Sequence, residues 1–480
     1  MKKTSILVVA AMTAASLAAA TVDSVSFAQD WPWSTDIKIT YSLSGVTTPV
    51  DVTVEAFDGE TALPIATHNA LKGDICGVTN NGSHEILLDP IRAFGKSRKA
   101  YSAFKVRVTA SDSPASVDEV LYKIFDIVAG SCTDVTRKDL VNAKYGDYET
   151  DYSKIDPNFT TSLDASDVMI WTGVTNDIAY KTTHLVMRKI NAANKVWQSG
   201  DPAGTLTSKA YTAPLCPVKL TYDDYIAVFE TTVAQHARMN NASSTSVSVL
   251  PRNGDGVNID ALYGHPTAAD SQYLTLTCRE HLTFPTNSYV RDVGGSTPLA
   301  KLWNRTRSAG HVYEFTLPTR AEWEFAARGG NDGVLYSGEA QTLENVNKLA
   351  WHYGNSGGAR QDVGTKLPNA YGLYDVLGNV IERVCSVGQF SAGQSEAGTQ
   401  EDPYVNPIGS RNPIWTTSTH NDPALMGGGG TFDSSNGDWQ DCRPCPARLW
   451  VEWWRTSPTL GYRLVIPARA DGQWADHSAQ

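Results

Sequence analysis

The chain has 480 residues, 41% hydrophobic and 19% charged, a folded composition long enough for two or three cores and unlike that of a disordered or collagen-like protein. Its 40 Lys and Arg against 51 Asp and Glu leave a net charge of −11, and with no local basic block this argues against nucleic acid and anionic membrane surfaces as partners. Seven cysteines allow a few disulfides but not a cysteine framework, so burial must carry most of the stability.

Lys2 and Lys3 precede an apolar stretch from Ile6 to Ala20 that ends in small residues. This is the pattern of a signal peptide, so residues 1–20 are set apart and the mature chain is expected to begin near Thr21. A second small-residue exit lies at Ser26-Phe27-Ala28. The stretch is too short to span a bilayer, and no Cys follows it. A secreted or periplasmic protein is expected, with neither a membrane span nor a lipid anchor.

Residues 21–144 read as an all-β sandwich, immunoglobulin-like in its strand density. Ile37, Ile39, Tyr41 and Leu43 alternate with polar residues, as do Val50, Val52 and Val54, and then Phe104, Val106 and Val108. Asp58-Gly59, Asn80-Asn81-Gly82 and Ser111-Asp112-Ser113-Pro114 supply the turns between them. Residues 145–182 are rich in Asp, Tyr, Thr and Ser without periodicity and read as a linker or a long surface excursion.

From 183 to 467 the elements are short and mixed. Tyr225 to Phe229 reads as a strand, Pro298 to Arg305 as a helix and Val312 to Phe315 as a strand; residues 468–480 form a tail. The firmest local signal is Leu317 to Gly330, LPTRAEWEFAARGG. Thr319 is placed to cap a helix, with Glu322 reaching back to the cap amide. Trp323, Ala326 and Ala327 make one apolar face, and Gly329 ends it. Gly354-Asn355-Ser356-Gly357-Gly358 formally contains G-x-S-x-G, but no strand and helix flank it as a nucleophile elbow requires, so it reads as a flexible glycine loop.

LPTRAEWEFAARGG, then LPNAYGLYDVLGNVIE (Leu367 to Glu382), Gly429-Gly430-Thr431-Phe432, Cys445-Pro446-Ala447-Arg448 and Leu460-Gly461-Tyr462-Arg463-Leu464 occur in this order. Together they resemble the formylglycine-generating, sulfatase-modifying family. Weaker matches, Met187 to Ser199 and Val218 to Thr232, extend the resemblance over residues 183–467. It implies an α+β, C-type-lectin-like fold with little regular structure, following the β-sandwich. Fold alone does not set function.

The resemblance also implies where chemistry would lie. The family's oxidase reaction uses copper held by two cysteines between the Gly-Gly and Cys-Pro-Ala-Arg motifs. Counting forward puts these positions at Ser434 and Trp439, and counting backward at Ser435 and Gln440. Neither register supplies a thiolate, the soft ligand Cu(I) prefers, so no copper and no oxidase activity are expected. A related branch binds iron through closely spaced histidines, but the ten histidines here never fall at i, i+4, so iron is not expected either. Calcium is the metal the resemblance favours, held by the side chains of Asp375 and Glu382 and the carbonyls of Gly378 and Val380, with Arg383 a rival partner for Glu382.

Cys442-Arg443-Pro444-Cys445 reads as structural, with Cys445 paired to a distant Cys278 or Cys385, and with Cys76 and Cys132 a second candidate bridge. Trp439, Trp450, Trp453 and Trp454 crowd one segment and are the candidate ligand-binding residues, since exposed indoles stack on sugars and anchor peptides while buried ones fill a core. The expected function is binding of a peptide, glycan or surface protein, a diversified receptor being one form of it. The alternative is an oxidoreductase acting on protein or small thiol substrates.

Overall fold

The computed structural model describes residues 20–95, 100–202, 215–253, 262, 297–311, 313, 315–384, 403–405, 426–427, 439–444 and 459–467. The chain divides into two compact units. One comprises Met1–Leu121, Val135–Tyr148 and Trp171–Val174, the other Tyr122–Asp134, Glu149–Ile170 and Thr175–Gln480.

In the first unit the two-residue periodicity becomes strands. These are β1 (Thr21–Gln29), β2 (Ile37–Ser44), β3 (Val50–Asp58), β4 (Thr61–Leu63), β5 (Leu71–Gly73), β6 (Gly82–Leu88) and β7 (Phe104–Asp112). They form antiparallel sheets of order β1-β2-β6-β5 and β4-β3-β7. Along β2, Ile37, Ile39, Tyr41 and Leu43 point inward and Lys38 points out, as the pleat dictates. They share a core with Val50, Val52, Ile86, Leu88 and Val108. Short helices α1 (Pro90–Phe94) and α2 (Arg137–Val141) are capped by Asp89 and Thr136. Cys76 in this unit and Cys132 in the second are both thiols in this structure, not the bridge expected, each pushed up to about 12 with burial as the main cause.

The second unit centres on a five-stranded sheet of order β18-β13-β10-β8-β9. It uses β8 (Val120–Asp126), β9 (Cys132–Thr136), β10 (His184–Ile190), β13 (Asp224–Ala227) and β18 (Val465–Pro467). Smaller sheets pair β11 (Val196–Ser199) with β12 (Cys216–Lys219) and β15 (Tyr404–Val405), and β14 (Ile381–Arg383) with β16 (Met426–Gly427) and β17 (Leu460–Tyr462). The helices are α3 (Val233–Asn240), α4 (Pro298–Ser308), α5 (Arg320–Arg328), α6 (Leu343–Leu349) and α7 (Tyr353–Ser356). This is the mixed α+β architecture expected after the β-sandwich.

Three expectations are corrected here. Residues 145–182 are not only a linker, because Tyr152, Phe159, Val168 and Ile170 lie in the second unit's core. The stretch from 312 to 315 is not assigned to a strand at its described residues, and only Thr316 bridges the sheet, at Val465. The glycine loop at 354–358 is instead the turn α7, started by the His352 side chain and closed by Gly357 at φ +67°.

Three motifs of the resemblance, at 317–330, 367–382 and 460–464, meet in this core, while those at 429–432 and 445–448 lie outside the described residues. Thr319 and Glu322 form the expected capping box of α5, and Gly329 ends the helix in the left-handed region. The Asn369 side chain donates to the carbonyls of Ala326 and Ala327 at 2.7 and 3.0 Å, closing the far end of α5, while its oxygen accepts from Tyr371 and Leu373. Trp323 Nε1 donates to Glu382 at 2.7 Å. Arg463 holds the same carboxylate through Nε and Nη2 and donates to the carbonyls of Ala227, Val228 and Tyr374. A buried guanidinium is tolerated only where its donors are satisfied, and these five acceptor atoms come from three places, β14 (Glu382), the end of β13 (Ala227, Val228) and the loop at Tyr374, so the motif residues specify how those segments dock.

Candidate functional site

The calcium reading can be tested on this hub. Glu382 Oε1 and Oε2 both accept from Arg463, at 2.7 to 3.0 Å, and Oε2 also accepts from Trp323. Arg463, not Arg383, is therefore the rival cation. Asp375, at φ +54°, accepts the Gly364 N–H on Oδ2 at 2.6 Å, while Oδ1 is buried with no partner. Burial pushes Asp375 up to about 6 against the pull of the Gly364 N–H, Arg463 and Lys181, and burial raises Glu230 beside it well above the carboxylate range. Glu230 accepts from Asn379 Nδ2 and Val380 N. Among the described residues no three His, Cys, Asp or Glu side chains converge as metal ligands. At the expected calcium ligands Asp375, Gly378, Val380 and Glu382, Arg463 already pairs with the Glu382 carboxylate, while the buried Asp375 Oδ1 has no partner among the described residues.

The candidate ligand-binding residues separate. Trp450, Trp453 and Trp454 lie outside the described residues, as do Cys278, Cys385 and Cys445. Trp439 opens a 3-10 turn, Trp439–Asp441, and is half-buried against the core beside fully buried Cys442. The turn is pinned from two sides. Gln341 Nε2 donates to the carbonyls of Gln440 and Cys442 at 3.0 and 3.3 Å. Arg443 Nε donates to Gln440, and Arg443 Nη1 forms a 2.8 Å ion pair with buried Asp201.

Held this way, Trp439 lines a cleft of about 310 Å³ with α6 and α7. Leu343 and Asn347 come from α6, and Tyr353, Gly354 and Asn355 from α7, with His352 at its start. His352 Nδ1 accepts from the Gly354 N–H at 3.1 Å, so its proton is on Nε2, which donates to Asn347 Oδ1 at 2.8 Å. That ring is a neutral cap, with no nitrogen left for acid-base work. Asn355 Nδ2 also donates to Asn347 Oδ1, at 2.9 Å. Two donors on one oxygen fix the amide orientation and turn the Asn347 NH₂ into the available donor. Leu343 is 47% and Tyr353 51% exposed, so the rim presents an aliphatic group and a phenol. Sequence reasoning found Trp439 but missed Asn347, His352 and Tyr353, whose only advance signal was a turn-forming Gly-Asn-Ser-Gly-Gly string.

Residues 285–468 match the family model of the Sulfatase-modifying factor enzyme 1-like domain, which takes in α4 to β18 and the cleft. A curated relative, the chaperone protein LppX of Paenibacillus barcinonensis, is 33% identical over 99 residues, covering 17% of this chain. The chain spans about a third (34%) of that relative's length. Among solved structures, Treponema denticola variable protein 1 aligns at 21% identity and TM-score 0.37 over 59% of this chain and 95% of that one. PvdO from Pseudomonas aeruginosa aligns at 17% and 0.37, over 58% and 93%. CarF aligns at 15% and 0.29, over 58% and 96%. No helix among the described residues is long and apolar enough to cross a membrane. Within the second unit, residues 285–468 therefore form a domain similar to the Sulfatase-modifying factor enzyme 1-like domain.

Proposed function

We propose that this is an exported, non-catalytic ligand-binding member of the sulfatase-modifying-factor group, with its site in the cleft beside Trp439. One observation carries the reading. Trp439, which falls on a copper-ligand position in one register of the resemblance, is a wall of a concave site whose other described side chains are an aliphatic residue, a phenol, two amides and an imidazole already committed to a helix cap. Acyl-transfer, hydrolytic or thiol-oxidising chemistry needs a nucleophile, base or metal at such a place, whereas an aromatic wall with one amide donor suits recognition. Export rests on the leader pattern of residues 1–20.

The purified protein is to be incubated with a cysteine-containing sulfatase-type peptide, copper and oxygen, and the peptide weighed by mass spectrometry. No aldehyde is expected. Copper-dependent conversion of the cysteine to formylglycine would overturn the non-catalytic reading and favour an oxidoreductase.

A further inference from the structure

The geometry points to a neutral sugar ring as the occupant of the Trp439 cleft. This inference rests on the binding reading and goes a step further, from a cleft to a ligand class.

A pyranose has one face of C–H groups and an edge of hydroxyls. The first packs on an aromatic face, and the second needs donors and acceptors in an apolar setting. The cleft offers both kinds of contact. Trp439 and Tyr353 supply aromatic surface, and Leu343 adds apolar area at the rim. The Asn347 NH₂ is aimed by two hydrogen bonds received on its own oxygen, which fixes a donor without cost when the ligand arrives. The Trp439 indole N–H and the Tyr353 hydroxyl make no hydrogen bond to described residues and complete a polar set of three.

Size and charge narrow the class. At about 310 Å³ the cleft sits at the small end of ligand sites, roughly 300–1,000 Å³, suited to a single ring or the end of a chain. The described lining carries no carboxylate, lysine or arginine, and His352 is held in its neutral tautomer. A phosphate, a free amino acid or a peptide terminus would be desolvated here without a counter-charge. Nor is the peptide mode favoured by the walls: extended peptides add to a sheet edge, and here the walls are helical turns whose early amides are already capped by Thr342 and His352.

The test is saturation-transfer NMR on the whole exported chain with three neutral probes, N-acetylglucosamine, cellobiose and methyl α-mannoside, with and without EDTA. At least one is expected to bind, equally well in EDTA. Tyr353→Ala, at an exposed position, and Trp439→Ala are each expected to weaken it at least about tenfold. Asn347→Asp keeps the oxygen that holds His352 and Asn355 but removes the donor, and is expected to weaken binding roughly fivefold to tenfold with the melting temperature little changed. Failure of all three probes, binding that needs a metal ion, or binding indifferent to Tyr353→Ala and Asn347→Asp overturns the sugar assignment. Capture of N-acetyl-Ala-Phe-Ala-amide in a Trp439-dependent way, without sugar binding, overturns it too but leaves the binding reading standing, whereas aldehyde formation in the peptide assay removes that reading itself.

Discussion

His236 is buried on α3 with both ring nitrogens engaged, Nδ1 with the Tyr462 hydroxyl at 2.8 Å and Nε2 with the Asn240 amide at 3.0 Å. Burial, aided by the positive charge of Arg252, pushes it down from 6.5 to about 4, so the folded protein binds this proton less readily than the unfolded chain. Stability from this site is therefore complete above pH 6.5 and is lost as pH falls towards 4, on the order of 3 kcal/mol in all. Urea unfolding of the parent and of His236→Gln between pH 7.5 and 4 checks this. The parent is expected to lose its advantage over the variant across that window, and parallel profiles would show that the imidazole stays uncoupled from folding. Asp375 has the opposite linkage: with its folded value raised from 3.8 to about 6, it penalises folding as pH rises between those limits.

At the scale of elements, α5 combines two interactions of unequal weight. Thr319 caps its start, a contribution of about 1 kcal/mol. Glu324, wholly buried in the middle of the helix, accepts from Ser199 Oγ at 2.6 Å, Gly200 N at 2.8 Å, and Arg328 Nε and Nη2 at 3.1 and 2.6 Å. It ties α5 to the end of β11, and its loss strands a buried Arg328 charge, which costs about 3–5 kcal/mol. Glu324→Ala is thus expected to lower unfolding free energy by several times as much as Thr319→Ala, measured by urea denaturation; equal losses would reduce the buried pair to an ordinary contact. The cap was legible in sequence because its partners are three residues apart. The role of Glu324 was not legible there, because its partners Ser199 and Gly200 lie more than a hundred residues away. The same reason hid the hub: Glu382 reads in sequence as a calcium ligand, and its pairing with Arg463, 81 residues further on, shows only in the fold. Trp439 could be picked out by aromatic crowding, but Asn347 and His352 become site residues only when α6 and α7 fold against its turn.

At the scale of the whole molecule, the leader proposed for residues 1–20 and the fold of the first unit bear on one another. Two small-residue exits were open in sequence, after Ala20 and after Ala28. In the structure β1 begins at Thr21 and pairs with β2 from Thr21↔Ser44 to Gln29↔Ile37. Its Val22, Val25 and Phe27 pack on the sandwich core, and Phe27 meets the Phe104 ring edge-on at 5.2 Å. Cleavage after Ala28 would remove almost the whole strand, uncover that apolar face and leave β2 as a long unpaired edge, which invites aggregation. Cleavage after Ala20 leaves the strand whole. Expression of the full chain in a secreting bacterial host, with the exported product weighed intact, is therefore expected to give a mass starting at Thr21. A product starting at Gln29 would mean that β1 is dispensable. In that case a chain made without residues 1–28 should melt at the parent's temperature, where the packing of Val22, Val25 and Phe27 calls for a loss on the order of 5–10 °C.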